Sequence, residues 1–267
     1  MKKKIIDNLK TIFFALIIAL FIRSFFFQPF YIPSSSMEPS LLIGDRLFVS
    51  KYTYGYSRHS LPFSPKIYSK RIFEKIPKRG DVIVFKTNYK NDDIFLIRIL
   101  CNLFKSCKTD YIKRLIGLPG DKIQFINGDL FINNTQVFRT KDKNHKIELN
   151  CGSKECIAFE EKLPGGVIHN TIYSTNSGSE AWSLDGIGAV TFTVPEDHYF
   201  FLGDNRDNST DSRFFYRGKG PGYVNEVNLV GKAKIIFFSN DKKKGIFFKF
   251  WKWHESIRID RFFNKIQ

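Results

Sequence analysis

Three short segments hold residues whose types and spacing could do chemistry. The first is Pro33-Ser34-Ser35-Ser36-Met37-Glu38-Pro39-Ser40-Leu41, a serine-rich loop between two prolines. A serine hydroxyl becomes a useful nucleophile only when a base removes its proton. The second is Asp110-Tyr111-Ile112-Lys113-Arg114-Leu115-Ile116. As an alternating strand it sets Lys113 on one face with Tyr111 and Leu115, and turns Ile112, Arg114 and Ile116 to the other. A lysine among apolar neighbours is desolvated, its pKa falls, and the neutral amine can act as a base. Taken alone, such a residue reads better as a lysine that snorkels to water. The third segment runs Gly203-Asp204-Asn205-Arg206-Asp207-Asn208-Ser209-Thr210-Asp211-Ser212-Arg213. Its Asp, Asn and Ser suit a turn held by side-chain hydrogen bonds, or a calcium loop. Arg206 and Arg213 offset the carboxylates and argue against calcium.

No histidine accompanies the serine loop. His59, His145, His169, His198 and His254 all lie outside the three segments, so a Ser-His-Asp triad does not fit. The four cysteines fall in two close pairs, Cys101/Cys107 and Cys151/Cys156. Neither has CxxC spacing, so no metal is expected, and nothing calls for another cofactor. In an exported domain, Cys151 and Cys156 are the candidates for a local disulfide, and Cys101/Cys107 is the weaker pair. Ordinary thiols are the alternative.

Elements must hold these segments in place. Residues 11–27 read TIFFALIIALFIRSFFF with one charge, Arg23, and Phe30, Tyr31 and Ile32 extend the apolar stretch. That length suits a membrane span. Lys2, Lys3, Lys4 and Lys10 precede it, which places the N-terminus in the cytoplasm and the rest outside. No small-x-small cleavage site follows, so an uncleaved anchor is expected rather than a signal peptide. Beyond it, short β-type runs recur at 46–50, 81–85, 122–126, 129–132, 199–202 and 233–238. Asn127-Gly128 between two of them marks a tight hairpin. The expected fold is mainly β: an N-terminal transmembrane helix, then a β-rich catalytic domain with an inserted second lobe. The expected boundaries are 1–28 for the start and anchor, 29–132 and 194–240 for the core, 133–193 for the lobe, and 241–267 for a basic aromatic tail. That tail either packs on the core or touches lipid headgroups.

The net charge of +16 is spread along the whole chain. With no recognition module visible, nucleic acid is not an expected partner, whereas an anionic lipid surface is.

The three segments, in this order, resemble the type I signal peptidase (leader peptidase) family. Ser36-Met37 within its loop matches the nucleophile motif, RGDVIVFK at 79–86 a core strand, YIKRLIGLPGD at 111–121 the lysine motif, and 203–213 the last motif. After Arg213 the chain departs from the family pattern, continuing Phe214-Phe215-Tyr216 with extra residues 217–221. The resemblance implies Ser36 as nucleophile and Lys113 as general base. It implies Ser209 as a group that hydrogen-bonds and orients the Lys113 amine, and the Ser36 N–H with the Ser34 hydroxyl as oxyanion donors. It also implies an ion pair of Asp211 and Arg213. Phe30, Ile32, Met37, Leu41, Leu47, Val84 and Ile112 match pocket-lining positions, and a substrate strand would lie beside Asp110, Tyr111 and Ile112. The implied substrates are preproteins bearing signal peptides, cut on the outer (periplasmic) side of a bacterial inner membrane. A soluble self-cleaving repressor would share the dyad but needs a DNA-binding domain and no anchor. A catalytically dead membrane adaptor would not need Ser36, Lys113 and Ser209 together.

Overall fold

The computed structural model describes residues 2–61, 64–65, 70–88, 108–142, 155–174, 189–217, 220–241 and 256–266. Lys2–Phe25 forms helix α1. Its 24 residues extend about 36 Å at the usual rise, enough to cross a hydrocarbon core of about 30 Å. Its apolar side chains are exposed along its length, and at its end the Phe25 ring meets Tyr56 edge-on. Among the described residues it is the one helix long and apolar enough to cross a membrane. Arg23 occupies its last turn, where a cation complements the helix dipole.

The chain passes almost directly into β1 (Phe27–Tyr31). The remaining strands are β2 (Asp45–Ser50), β3 (Val82–Asn88), β4 (Lys108–Gly117), β5 (Lys122–Ile126), β6 (Asp129–Ile132) and β7 (Thr135–Gln136). They continue with β8 (Phe138–Lys141), β9 (Cys156–Lys162), β10 (Ile168–Ser174), β11 (Ala189–Thr193), β12 (His198–Leu202), β13 (Val224–Asn225) and β14 (Leu229–Ser239). The largest sheet has the order β1-β2-β14-β3-β4-β12-β13. A four-stranded sheet, β11-β5-β6-β7, and a three-stranded sheet, β10-β9-β8, complete the fold. Asn127 and Gly128 both take positive φ between β5 and β6, as the tight hairpin requires. The four-stranded sheet draws β5 and β6 from the first part of the chain and β11 from the expected lobe.

Alternation on the large sheet divides its core in two. Val82 and Val84 face one apolar cluster with Met37, Leu41, Leu47, Val230 and Ala233. Ile83 and Phe85 face another, with Tyr54, Leu115, Tyr199 and Phe201. A third cluster, including Ile116, Ile123, Phe192 and Phe200, joins β4 and β12 to the four-stranded sheet.

Two edges matter for the site. Among the described residues β1 pairs with β2 alone, which accommodates Pro29 at a position with no N–H to donate. β4 pairs with β3 along Lys108 to Arg114, but β12 covers its other edge only from Arg114 to Gly117. Among the described residues, the outer edge of β4 before Arg114 is therefore unpaired.

Residues 256–266 return to the core. Lys265 bridges Ile235 and Ile257 bridges Asn240, while Arg261 Nη2 donates to buried Asp45 at 2.7 Å. This part of the tail packs on β14; residues 242–255 lie outside the described residues.

Cys156, which opens β9, is disulfide-bonded; Cys101, Cys107 and Cys151 lie outside the described residues. Four intervening residues favour Cys151 as the partner, with a stabilisation of roughly 2 kcal/mol from so short a loop. A non-reducing digest of the exported protein is expected to give a peptide linking Cys151 to Cys156. A peptide linking Cys156 to Cys101 or Cys107 would overturn the pairing.

Candidate active site

Ser36 sits in the turn that follows β1. Buried Met37 and Leu41 nail this turn to the apolar cluster beneath it, and Ser36 is left 8% exposed. The motif at 203–213 grips the same turn from above. Asn205 N–H donates to the Ser36 carbonyl at 3.2 Å. Asn205 Nδ2 donates to the Ser35 carbonyl at 3.1 Å and Asn208 Nδ2 to Ser35 Oγ at 2.8 Å. The Ser36 N–H has no hydrogen-bond acceptor among the described residues.

Lys113 projects from β4, and its Nζ lies 2.5 Å from Ser36 Oγ. The residue is only 4% exposed. Burial pushes its pKa down to about 8; the Arg213 charge acts the same way, while Asp211 and Asp204 oppose it. Arg114, the next residue, turns to the other face and meets Asp204 in a two-pronged buried pair, with Nε at 2.8 Å and Nη2 at 2.7 Å.

Asp211 and Arg213 pair at 2.7 and 2.8 Å through two parallel hydrogen bonds. Burial alone would raise the Asp211 carboxyl, but the Arg213 guanidinium overrides this and holds it low. Ser209 differs from expectation. Its Oγ donates to Asp211 Oδ2 at 2.8 Å, and no hydrogen bond joins it to Lys113. A hydroxyl has one proton, and an ionised carboxylate is the stronger acceptor. Ser209 therefore meets Lys113 through Asp211, whose charge acts on the amine. Ser34 Oγ lies 3.4 Å from Ser36 Oγ, on the open side.

A cleft of about 500 Å³ opens beside the two hydroxyls. Of the expected pocket residues, Phe30, Ile32, Val84, Asp110, Tyr111 and Ile112 line it. Met37, Leu41 and Leu47 do not; each is 0% exposed and supports the wall from behind. Apolar positions near a site cannot be sorted into wall and support until the strands are placed. Tyr31, Thr109, Asn208 and Thr210 also line the cleft. Alternation about Asp110 and the position of Asn208-Ser209-Thr210 within the last motif were the available signals for three of them.

Lys51 is a second buried lysine with its pKa pushed down to about 8, again by burial first. Its Nζ donates to the Ser60 carbonyl at 2.7 Å, an acceptor that needs no base. Among the described histidines, His59 and His169 are buried and His198 binds the Glu196 carbonyl. None of them hydrogen-bonds Ser36.

The family model described as "Signal peptidase, peptidase S26" matches residues 5–238. This chain belongs to that family. It is a serine endopeptidase by that membership. It is 37% identical to signal peptidase I of Rickettsia typhi (strain ATCC VR-144 / Wilmington), over 95% of this chain and 90% of that protein. It is 36% identical to signal peptidase I of Rickettsia bellii (strain OSU 85-389), over 96% of this chain and 84% of that one. A solved signal peptidase I from Enterococcus faecalis V583 is similar at 23% identity and a TM-score of 0.29, covering 59% of this chain and 97% of that chain. The mainly β fold with one apolar N-terminal helix suits a membrane-anchored signal peptidase.

Proposed function

We propose that this chain removes N-terminal signal peptides from exported preproteins through a Ser36/Lys113 dyad while anchored by α1. The observation that carries this reading is the buried Lys113 amine 2.5 Å from the Ser36 hydroxyl. With Lys113 neutral, its lone pair takes the proton as Ser36 Oγ attacks the scissile carbonyl. The tetrahedral intermediate carries its negative charge on the former carbonyl oxygen, facing the unengaged Ser36 N–H and the Ser34 hydroxyl. The ammonium returns the proton to the departing amine and leaves an ester on Ser36. Water, deprotonated by the same amine, then releases the signal peptide.

The substrate enters as a strand. The open edge of β4 before Arg114 and the open edge of β1 flank the cleft, so an extended peptide can pair with backbone on both sides. Ile32, Val84 and Ile112 make a shallow apolar wall that admits small side chains and rejects large ones by contact. The lysines at positions 2, 3, 4 and 10 keep the N-terminus in the cytoplasm and the catalytic domain on the outer face of the inner membrane. The anchor confines enzyme and preprotein to one surface and raises their effective concentration.

The full chain in detergent is expected to cut a reporter preprotein at one site, and Ser36→Ala to leave the preprotein intact. Cleavage retained by Ser36→Ala would sink the proposal. The pH profile is a second test. With Lys113 pushed down to about 8, about a tenth of the amine is neutral at pH 7. The value of kcat/KM should rise about tenfold per unit up to about pH 8 and flatten above it. A profile flat from pH 6 to 8 would exclude Lys113 as the base. The same depression affects folding. Between about 8 and the ordinary lysine value of about 10.4, the unfolded chain binds more protons at this site, so its contribution makes stability rise with pH.

A further inference from the structure

Glu161 lies on β9, outside all three chemical segments. It is 1% exposed, and it faces Arg206, itself 1% exposed, from the last motif. Arg206 Nη1 donates to Glu161 Oε1 at 2.6 Å, and Nη2 donates to Oε2. Tyr173 on β10 ties the pair, accepting from Arg206 Nη1 at 2.7 Å and donating to Glu161 Oε1 at 3.1 Å. The backbone repeats the connection. Ile172 N–H donates to the Asp204 carbonyl at 2.9 Å, and Arg206 N–H to the Ile172 carbonyl at 3.0 Å. Residues 204–206 thus lie against β10 as a short parallel addition, bridged at Ile172 and Asn205. Asp207 accepts from the Ser174 N–H at 2.7 Å.

From Arg206 the connection runs into the catalytic charges. Its carbonyl accepts from Arg213 Nη2 at 2.6 Å. Arg213 holds Asp211, and Asp211 accepts from Ser209 Oγ and from the Gly203 N–H at 3.0 Å. A buried ion pair is a poor source of stability beside apolar residues of the same volume, since both charges lose their water. The best-attested use of such a pair is to set register.

We propose that Glu161 is a positioning residue: through Arg206 the three-stranded sheet holds the 203–213 loop in the register that places its charges and hydroxyls around Lys113. The groups facing Lys113 are Ser36 and the Tyr111 ring, with Asp204, Asp211 and Arg213 acting through their charge. Those facing Glu161 are Arg206, Tyr173 and His169, with Asp204 beyond His169, and with Arg139, its cross-strand partner on β8, over the Tyr173 ring and paired with Asp129. Burial first, and then the Arg114 charge, push His169 down to about 3, so it stays neutral and leaves Arg206 as the charge that balances Glu161.

The proposal rests on the dyad reading and is tested with the full chain in detergent, from the pH dependence of kcat/KM for a reporter preprotein. Glu161→Gln keeps the shape but leaves Arg206 without its counter-charge, so the loop loosens and water reaches Lys113. The amine then moves back toward its solution value. The rising limb should shift to higher pH by about half a unit or more, and kcat/KM at pH 7 should fall at least about threefold. Loss of one negative charge without movement has the opposite sign, since it would lower the lysine pKa and shift the limb to lower pH. Glu161→Asp restores the charge one methylene short and should shift the limb upward by less. It also carries the test if Glu161→Gln does not fold. Leu130→Ala, buried on β6 of the four-stranded sheet, serves as a stability control whose limb should stay at the wild-type position. A limb unmoved or moved down in the Glu161 variants would overturn the proposal. Failure of the dyad itself would show differently, as cleavage surviving in Lys113→Met.

Discussion

Replacing Lys113 by Met is expected to lower kcat by at least about 10³-fold while the unfolding midpoint holds or rises. The loss follows from its position as the group in hydrogen-bond contact with Ser36 Oγ. Dyad and triad members act as a unit, so removing one forfeits nearly the whole covalent route. The stability side follows from burial. Burial is the largest of the causes acting on the amine and opposes its charge. Met is close in length, suits the apolar face shared with Tyr111 and Leu115, and has no charge to desolvate. Activity and stability should therefore part company, which ordinary damage to the fold would not produce. Lys51→Met is the control. That lysine is also pushed down to about 8, but it donates to the Ser60 carbonyl, so the rising limb of the pH profile should stay in place. Cleavage above a tenth of wild type in Lys113→Met, or a displaced limb in Lys51→Met, would assign the base elsewhere.

Local pattern made much of the fold legible. Asn127-Gly128 and alternating flanks marked β5 and β6 at the bounds observed. The face shared by Tyr111, Lys113 and Leu115 follows from period two alone. β14 was legible only in part. The expected run at 233–238 lies within Leu229–Ser239, whose register shifts between Ala233 and Ile235 and between Ile236 and Phe238. Bulges break the alternation that a sequence pattern relies on. β1 was hidden for another reason. Phe27–Tyr31 continues the apolar character of the anchor, and its Pro29 argues against a strand except at an edge.

At the site, residue types offered a serine loop without histidine and a lysine in an apolar strand, but by itself that strand fitted a snorkelling lysine; the pairing of Ser36 with Lys113 came from the resemblance of the ordered motifs to a family. The supporting shell was not legible. Glu161 and Arg206 are separated by 45 residues, and no local pattern pairs them. Nor can a sequence say which acceptor a hydroxyl will choose. Ser209 lies two residues from Asp211, and that short reach gives it a carboxylate partner in place of the amine.

Arg114→Met should cost about 3–5 kcal/mol of stability, the range for removing one partner of a buried pair. Arg114 and Asp204 are each 1% exposed. Besides Asp204, the guanidinium donates to the Gly80 carbonyl at 2.8 Å and to Ser40 Oγ at 3.2 Å. Its loss leaves a carboxylate buried without a counter-charge and a carbonyl without its donor. The double variant Arg114→Met/Asp204→Asn should regain about 1–3 kcal/mol of this, because an amide has no charge to compensate and can still accept from Ser40 Oγ. The double variant also isolates an effect on catalysis. The Asp204 carboxylate raises the Lys113 pKa, while the Arg114 side chain turns to the opposite face of β4. Removing the Asp204 charge should let burial depress the amine further and move the rising limb of kcat/KM to lower pH, on the order of half a unit. Denaturant unfolding of the full chain in detergent measures the first effect and the pH profile the second. Equal destabilisation of the single and double variants would show that Asp204 is not the stranded charge. A limb moving to higher pH would show that its carboxylate does not act on Lys113 as argued.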